Sequence, residues 1–140
     1  MQPRINFITL GVADIARARA FYEDLLGWQA HAMSNDSVRF YSCGECLMLS
    51  IFNKDALAKD IFGDTDNAPT LHGSPAGFTL AHNLSSEQEV DELFAKLERQ
   101  GVTIVKPPQK VFWGGYSGYI ADPDGYFWEI AYNPFLERIE

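Results

Sequence analysis

Apolar positions along this chain follow two rhythms, period 2 and period 3.6, and the same order of rhythms occurs twice. Residues 5–12 (INFITLGV) alternate around Ile8, Leu10 and Val12, which predicts a strand with one buried face. From Ile15 the spacing becomes helical. Ile15, Ala18, Tyr22, Leu25 and Leu26 form one stripe, with Asp14 as the expected N-cap and Gly27 as the stop. A weak strand is predicted over Trp28 to Met33. A hairpin follows, with arms Val38 to Ser42 and Leu47 to Phe52 about a Gly44-Glu45 turn. Residues 53–76 then lose all periodicity. They are polar, carry prolines and glycines and support at most one helical turn near Ala56 to Ile61, so they read as a linker. A connection of this length often serves as a lid or surface arm.

After the linker the first pattern returns, with Phe78-Thr79-Leu80 repeating Ile8-Thr9-Leu10. Ser86 and Glu89 are spaced as a capping box for a second helix with Val90, Leu93, Phe94 and Leu97 on one side and Gly101 at its end. Three strands complete the unit: Val102 to Val105, Tyr116 to Ala121 and Tyr126 to Tyr132. The last two are joined by Asp122-Pro123-Asp124-Gly125. In that turn Pro123 presets φ, Asp124 is expected to bond back to the local backbone, and Gly125 accepts a positive φ. The predicted class is α+β, with two βαβββ units (5–52 and 77–134) and a linker (53–76) within one domain, 1–140. One such unit leaves a sheet face bare. Two are therefore expected to pack together, helices covering one face and the inner face curling round a cavity.

Composition narrows the partners. With 19 acidic and 11 basic residues the net charge is −8, and no basic run offsets it, so nucleic acid and anionic membrane surfaces are not expected partners. No stretch of 18 apolar residues and no signal-peptide pattern occurs, which places the expected location in the cytoplasm. Cys43 and Cys46 form a CxxC. A redox pair of that kind normally starts a helix and a zinc site needs two more ligands, so two reduced cysteines flanking a turn are expected.

The candidate chemistry centres on Glu129, which stands between Trp128 and Ile130 in an aromatic strand. A carboxylate there is costly unless it is paired, metal-bound, protonated or turned to water, and the sequence leaves these open. Of the histidines, His82 shares parity with Phe78 and Leu80, the face expected under the helix, while His31 lacks a fixed companion and His72 lies in the linker. No G-x-S-x-G and no G-x-G-x-x-G opening a helix is present.

The phrases LGVADIARARAFYEDLLGW and DPDGYFWEI, with the repeated unit, resemble the vicinal oxygen chelate superfamily over residues 5–134. That group includes glyoxalase I, extradiol dioxygenases, fosfomycin-resistance enzymes and bleomycin-binding proteins. The resemblance implies a curved mixed sheet round a ligand cavity, a homodimer, and in catalytic members one divalent metal held by inner strands of both units. Carried over by position, the ligand after the DPDG turn falls on Glu129. The others fall on Phe7, on Gly77 and near Met48, none of which suits a hard cation. No cofactor is therefore expected, and a divalent metal would need ligands from elsewhere. Parity and the resemblance together put Phe7, Thr9, Thr79, Ser117, Tyr119, Phe127 and Glu129 on the ligand side, with Trp113 and Tyr116 beside Gly114-Gly115 at its mouth. Trp128 and Phe112 are assigned to the core. Three functions compete: a metal-free binder of a small organic molecule, an enzyme using Glu129 as acid or base on a carbonyl substrate with Tyr119 or a threonine steadying the oxyanion, and a metal-dependent lyase or dioxygenase.

Overall fold

Asp14 ends the first strand and begins the first helix with one side chain. Its carboxylate accepts a hydrogen bond from the Arg17 N–H (3.2 Å), satisfying a donor that the first helical turn leaves open. The computed structural model describes residues 1, 3, 5–63, 66–67, 69–71, 78–112 and 114–135, and the chain divides into two compact units, Met1–Gly73 and Ser74–Glu140. No helix among the described residues is long and apolar enough to cross a membrane.

In the first unit β1 (Phe7–Val12) pairs in parallel with β3 (Met48–Asn53), which pairs antiparallel with β2 (Val38–Ser42), giving the order β1-β3-β2. The helix α1 (Ile15–Arg19) continues as π-helical turns over Ala20–Leu25, and Gly27 closes it at φ +73°. That widening brings Phe21 as well as Tyr22 inward, whereas the 3.6-residue stripe placed only Tyr22 there. The core is aromatic: Tyr22 lies 5.4 Å from Trp28 and 5.8 Å from Tyr41, ring centre to ring centre, over Leu10, Val12, Leu49 and Ile51. At its edge Glu23 holds Arg19 and Arg39 together.

Two expectations for this unit need correction. Trp28 to Met33 is not a strand. The Ser34 N–H donates to the His31 carbonyl and the Met33 N–H to the His31 ring, so a turn takes the donors that a ladder would use, and only His31 N–H reaches Phe40 (2.8 Å). The start of the supposed linker is a helix, α2 (Lys54–Phe62), more than the single turn predicted. Asn53 caps it through the N–H groups of Asp55 (2.9 Å) and Ala56 (3.2 Å), and Gly11, lacking Cβ, lets Leu57 and Lys54 approach β1.

The second unit has the order β4-β7-β6-β5, from β4 (Leu80–Leu84), β5 (Thr103–Lys110), β6 (Tyr116–Ala121) and β7 (Phe127–Tyr132), with α3 (Glu87–Arg99) packed on the sheet. The capping box forms in modified shape: Ser86 accepts from Glu89 N–H, but the Glu89 carboxylate accepts from Ser85 N–H (2.7 Å). β5 runs past Val105 to Lys110 through Pro107-Pro108, with two register shifts. As an edge strand it tolerates the missing proline N–H groups. Gly118 meets α3 so closely that a Cβ there would sit 2.7 Å from the Phe94 ring and 2.6 Å from the Lys106 carbonyl.

The β6–β7 turn is organised by Asp122 rather than by Asp124. The Asp122 carboxylate, 5% exposed, accepts from the N–H groups of Asp124 and Tyr126 (both 2.9 Å), and the Gly125 N–H donates to the Asp122 carbonyl with Gly125 at φ +85°. Replacing Asp122 by Ala leaves two backbone donors in a buried turn without their acceptor and is expected to cost about 1–3 kcal/mol. Asp122→Asn keeps one acceptor oxygen and should cost less. Urea midpoints of the two variants check this, and an Ala variant as stable as the parent would remove the role given to this carboxylate.

Candidate functional site

Period 2 divides each sheet into a helix side and an open side, and the ladder registers say which residues share each row. In the first unit Phe7 stands beside Met48, and Thr9, Ser50 and Phe40 form the next row, away from Tyr41 and the helix. Phe7 is 53% exposed and meets Phe40 edge to face (centroids 6.1 Å). The Thr9 hydroxyl shares a 2.6 Å hydrogen bond with Ser50, a buried residue that the sequence reading did not select.

In the second unit β5, β6, β7 and β4 align three rows on the open side. One row is Lys106, Tyr119, Glu129 and Ala81; a second is Gln109, Ser117, Ala131 and Asn83; a third contains Thr103, Ala121 and Phe127. Glu129 and Tyr119 are direct cross-strand neighbours, both half-buried. Burial first, then the charge of Glu129 and a hydrogen bond with it, hold the Tyr119 phenol above its ordinary value. Ser117 is 4% exposed, and Phe127 turns part of its ring to solvent. The Thr79 hydroxyl reaches the carbonyls of Phe127 (3.0 Å) and Leu80 (3.2 Å), so it ties the start of β4 to β7.

Ser117, Tyr119, Phe127 and Glu129 thus come together on one sheet face, and Phe7 and Thr9 on the open face of the other unit. Trp113, Gly77 and His72 lie outside the described residues. Tyr116 does not belong with the open face. It sits on the helix side, where its hydroxyl donates to Asp91 on α3, and that bond is the main cause of a phenol pushed up to about 12. Phe112, assigned to the core, is fully exposed, because the turn at Val111 to Gly114 carries it off the end of β5; Trp128 is in the core as expected. His82 pairs with Ile130 on the helix-side parity, as its spacing predicted.

Lys106 and Gln109 escaped the sequence reading. The predicted strand stopped at Val105, and the two register shifts beyond it hide the parity that puts them opposite Tyr119 and Ser117. The signal available was the pair of aromatic partner strands, each longer than the strand predicted to flank them.

A metal would find few ligands here. Phe7 offers no donor atom and Met48 a thioether, and among the described residues no three His, Cys, Asp or Glu side chains are grouped to hold an ion. Glu129 instead has a phenol as its partner. Since the negative charge of Glu129 disfavours the Tyr119 phenolate, Glu129→Gln is expected to lower the Tyr119 pKa towards its ordinary value. Absorbance titration of the phenolates, with Tyr119→Phe identifying the step, measures this, and an unmoved midpoint would show that the two groups are not coupled.

Comparison with known proteins places this geometry in a family. The chain is 27% identical to a glutathione transferase, FosA, of Serratia marcescens over 99% of its length and 87% of the relative's, and 28% identical to a metallothiol transferase, FosB, of Lysinibacillus sphaericus over 97% and 86%. It is 31% identical to a glyoxalase-related enzyme from Fulvimarina pelagi, whose crystal structure matches with a TM-score of 0.82 over 95% of this chain and 90% of that one. A lactoylglutathione lyase from Agrobacterium tumefaciens matches with a TM-score of 0.70 at 25% identity, over 94% of this chain and 95% of that one. Residues 4–130 fit the family model of the Glyoxalase/Bleomycin resistance protein/Dioxygenase superfamily, and the chain belongs to that superfamily.

Proposed function

We propose that the protein binds a small organic molecule with a flat apolar part and a hydrogen-bonding or cationic part, anchored at the Tyr119–Glu129 pair, without the divalent metal of the superfamily's catalytic members. The observation that carries this reading is the cross-strand pair itself, a carboxylate whose immediate neighbour is a phenol, on a sheet face that also presents the Phe127 ring, with the Ser117 side chain buried in the adjoining row. The carboxylate suits a cation or a donor, the aromatic ring a flat surface, and Lys106 at the far end of the row gives the site a direction. The donor set speaks for a metal-free site, since the positions that would complete a chelate carry Phe7, Gly77 and Met48. The family further supports a homodimer, and two unlinked thiols, Cys43 and Cys46, fit a reducing compartment such as the cytoplasm.

A second reading is an enzyme of lyase, isomerase or dioxygenase type, on a carbonyl-containing or aromatic substrate. It draws support from the relatives, which include a glutathione transferase and a lactoylglutathione lyase. In it Glu129 takes a proton from carbon next to the carbonyl, and Tyr119, whose raised pKa keeps its O–H intact, donates to the oxygen on which charge develops.

Elemental analysis of untagged protein, with a thermal-shift titration against Zn, Ni, Mn and Fe(II), tests the metal-free reading. Well under one metal per chain and no saturable shift are expected, and stoichiometric metal or saturable stabilisation would overturn it. A thermal-shift screen of aromatic amines and antibiotics then supplies a ligand. For a cationic one, Glu129→Gln is expected to weaken binding about tenfold or more, about 1.4 kcal/mol. If Glu129→Gln instead abolishes turnover of a carbonyl substrate and spares affinity, the enzyme reading replaces the binding one.

A further inference from the structure

The β2–β3 hairpin tip has a chemistry that neither reading uses. Ser42 pairs with Met48, and the Cys43 N–H donates to the Leu47 carbonyl (2.8 Å), so only Gly44, Glu45 and Cys46 are left to turn the chain. Gly44, at φ +120°, takes a conformation that a side chain would strain, and its carbonyl accepts from the Ser42 hydroxyl (3.2 Å). On the other flank the Asn6 side-chain amide donates to the Cys46 carbonyl (3.1 Å), while the Met48 N–H donates to the Asn6 carbonyl (2.8 Å). Both cysteine backbones are therefore hydrogen-bonded, Cys43 to Leu47 at the base of the turn and Cys46, the last residue of the turn, to Asn6. Both cysteines are exposed and unlinked.

We propose that Cys43 and Cys46 are a reversible dithiol–disulfide site, closed by exchange with a small-molecule disulfide and reopened by its thiol. Spacing favours an internal bond: only two residues separate the thiols along the chain, so the second meets a mixed disulfide on the first at high effective concentration, whereas a second disulfide molecule must diffuse in. The order of steps follows from the surroundings. Although Cys43 is exposed as a residue, its sulfur is turned in to the Tyr41 carbonyl (3.6 Å) and is partly desolvated there, which pushes its thiol up, so it attacks second. The Cys46 thiolate attacks one sulfur of the disulfide RSSR, forms a mixed disulfide and expels RS⁻. The Cys43 thiolate then attacks the Cys46 sulfur and expels the second RS⁻. In total, two protein thiols and RSSR become one protein disulfide and two RSH; the two electrons pass to RSSR, and the two thiol protons end on the RSH. The closed ring stands next to Asn6, one residue before Phe7, so the redox state of the tip reaches the start of β1 through the Asn6 bond.

The test uses oxidised glutathione as the probe on the full chain, followed by alkylation of remaining thiols and intact-mass measurement. The wild-type protein is expected to lose two hydrogens, keep no glutathione, accept no alkylating group and recover both thiols in excess reduced glutathione. Cys43→Ser is expected to retain one glutathione on Cys46, because the resolving thiol is gone. A wild-type protein that keeps glutathione on either cysteine, or that links to a second chain on a non-reducing gel, would overturn the proposal. Glu129→Gln should oxidise like the parent, so failure of this inference is separable from failure of the binding reading.

Discussion

The second unit depends on one buried carboxylate in a turn. Asp122 gathers the N–H groups of Asp124 and Tyr126 and so fixes where β6 ends and β7 begins. Because side chains alternate, a slip of one residue across that turn would send Glu129 to the helix side and bring Ile130 and Trp128 out. The face on which Tyr119 meets Glu129, and with it the binding or acid–base chemistry proposed for that pair, exists because this turn sets the register.

Electrostatics then decide what the face can do. A half-buried carboxylate needs a partner, and here its cross-strand neighbour is a phenol that bonds to it. The phenol gains a firmer hold on its proton. The corresponding row of the first unit is built differently, with the Thr9 and Ser50 hydroxyls bonded to each other and Phe7 leaning on Phe40. The open faces of the two units therefore carry different donors, paired hydroxyls in the first and a phenol beside a carboxylate in the second.

Much of this was legible because it is written in local spacing. The strand, helix and hairpin repeat, the capping box at Ser86 and the parity of Tyr119, Phe127 and Glu129 follow from periods of 2 and 3.6 and from turn residues. What was not legible depends on atoms far away in the chain. The helix α2 has little amphipathic signal of its own and forms where Gly11 leaves room for it. The π-helical turns at Ala20–Leu25 respond to the packing of Phe21 and Tyr22 in the core. Trp28 to Met33 alternates too weakly to hold a ladder against the local turn at His31.

The sequence by itself determined the family, the doubled unit and the parity of Glu129, because side-chain alternation and turn chemistry act within a few residues. Only the tertiary structure decided which parities become neighbours. The irregular register of β5 brings Lys106 level with Tyr119, and the packing of α3 takes Tyr116 to Asp91 and away from the open face. Register between strands is fixed by long-range pairing and by bulges, and neither leaves a mark in the spacing of the residues that it aligns.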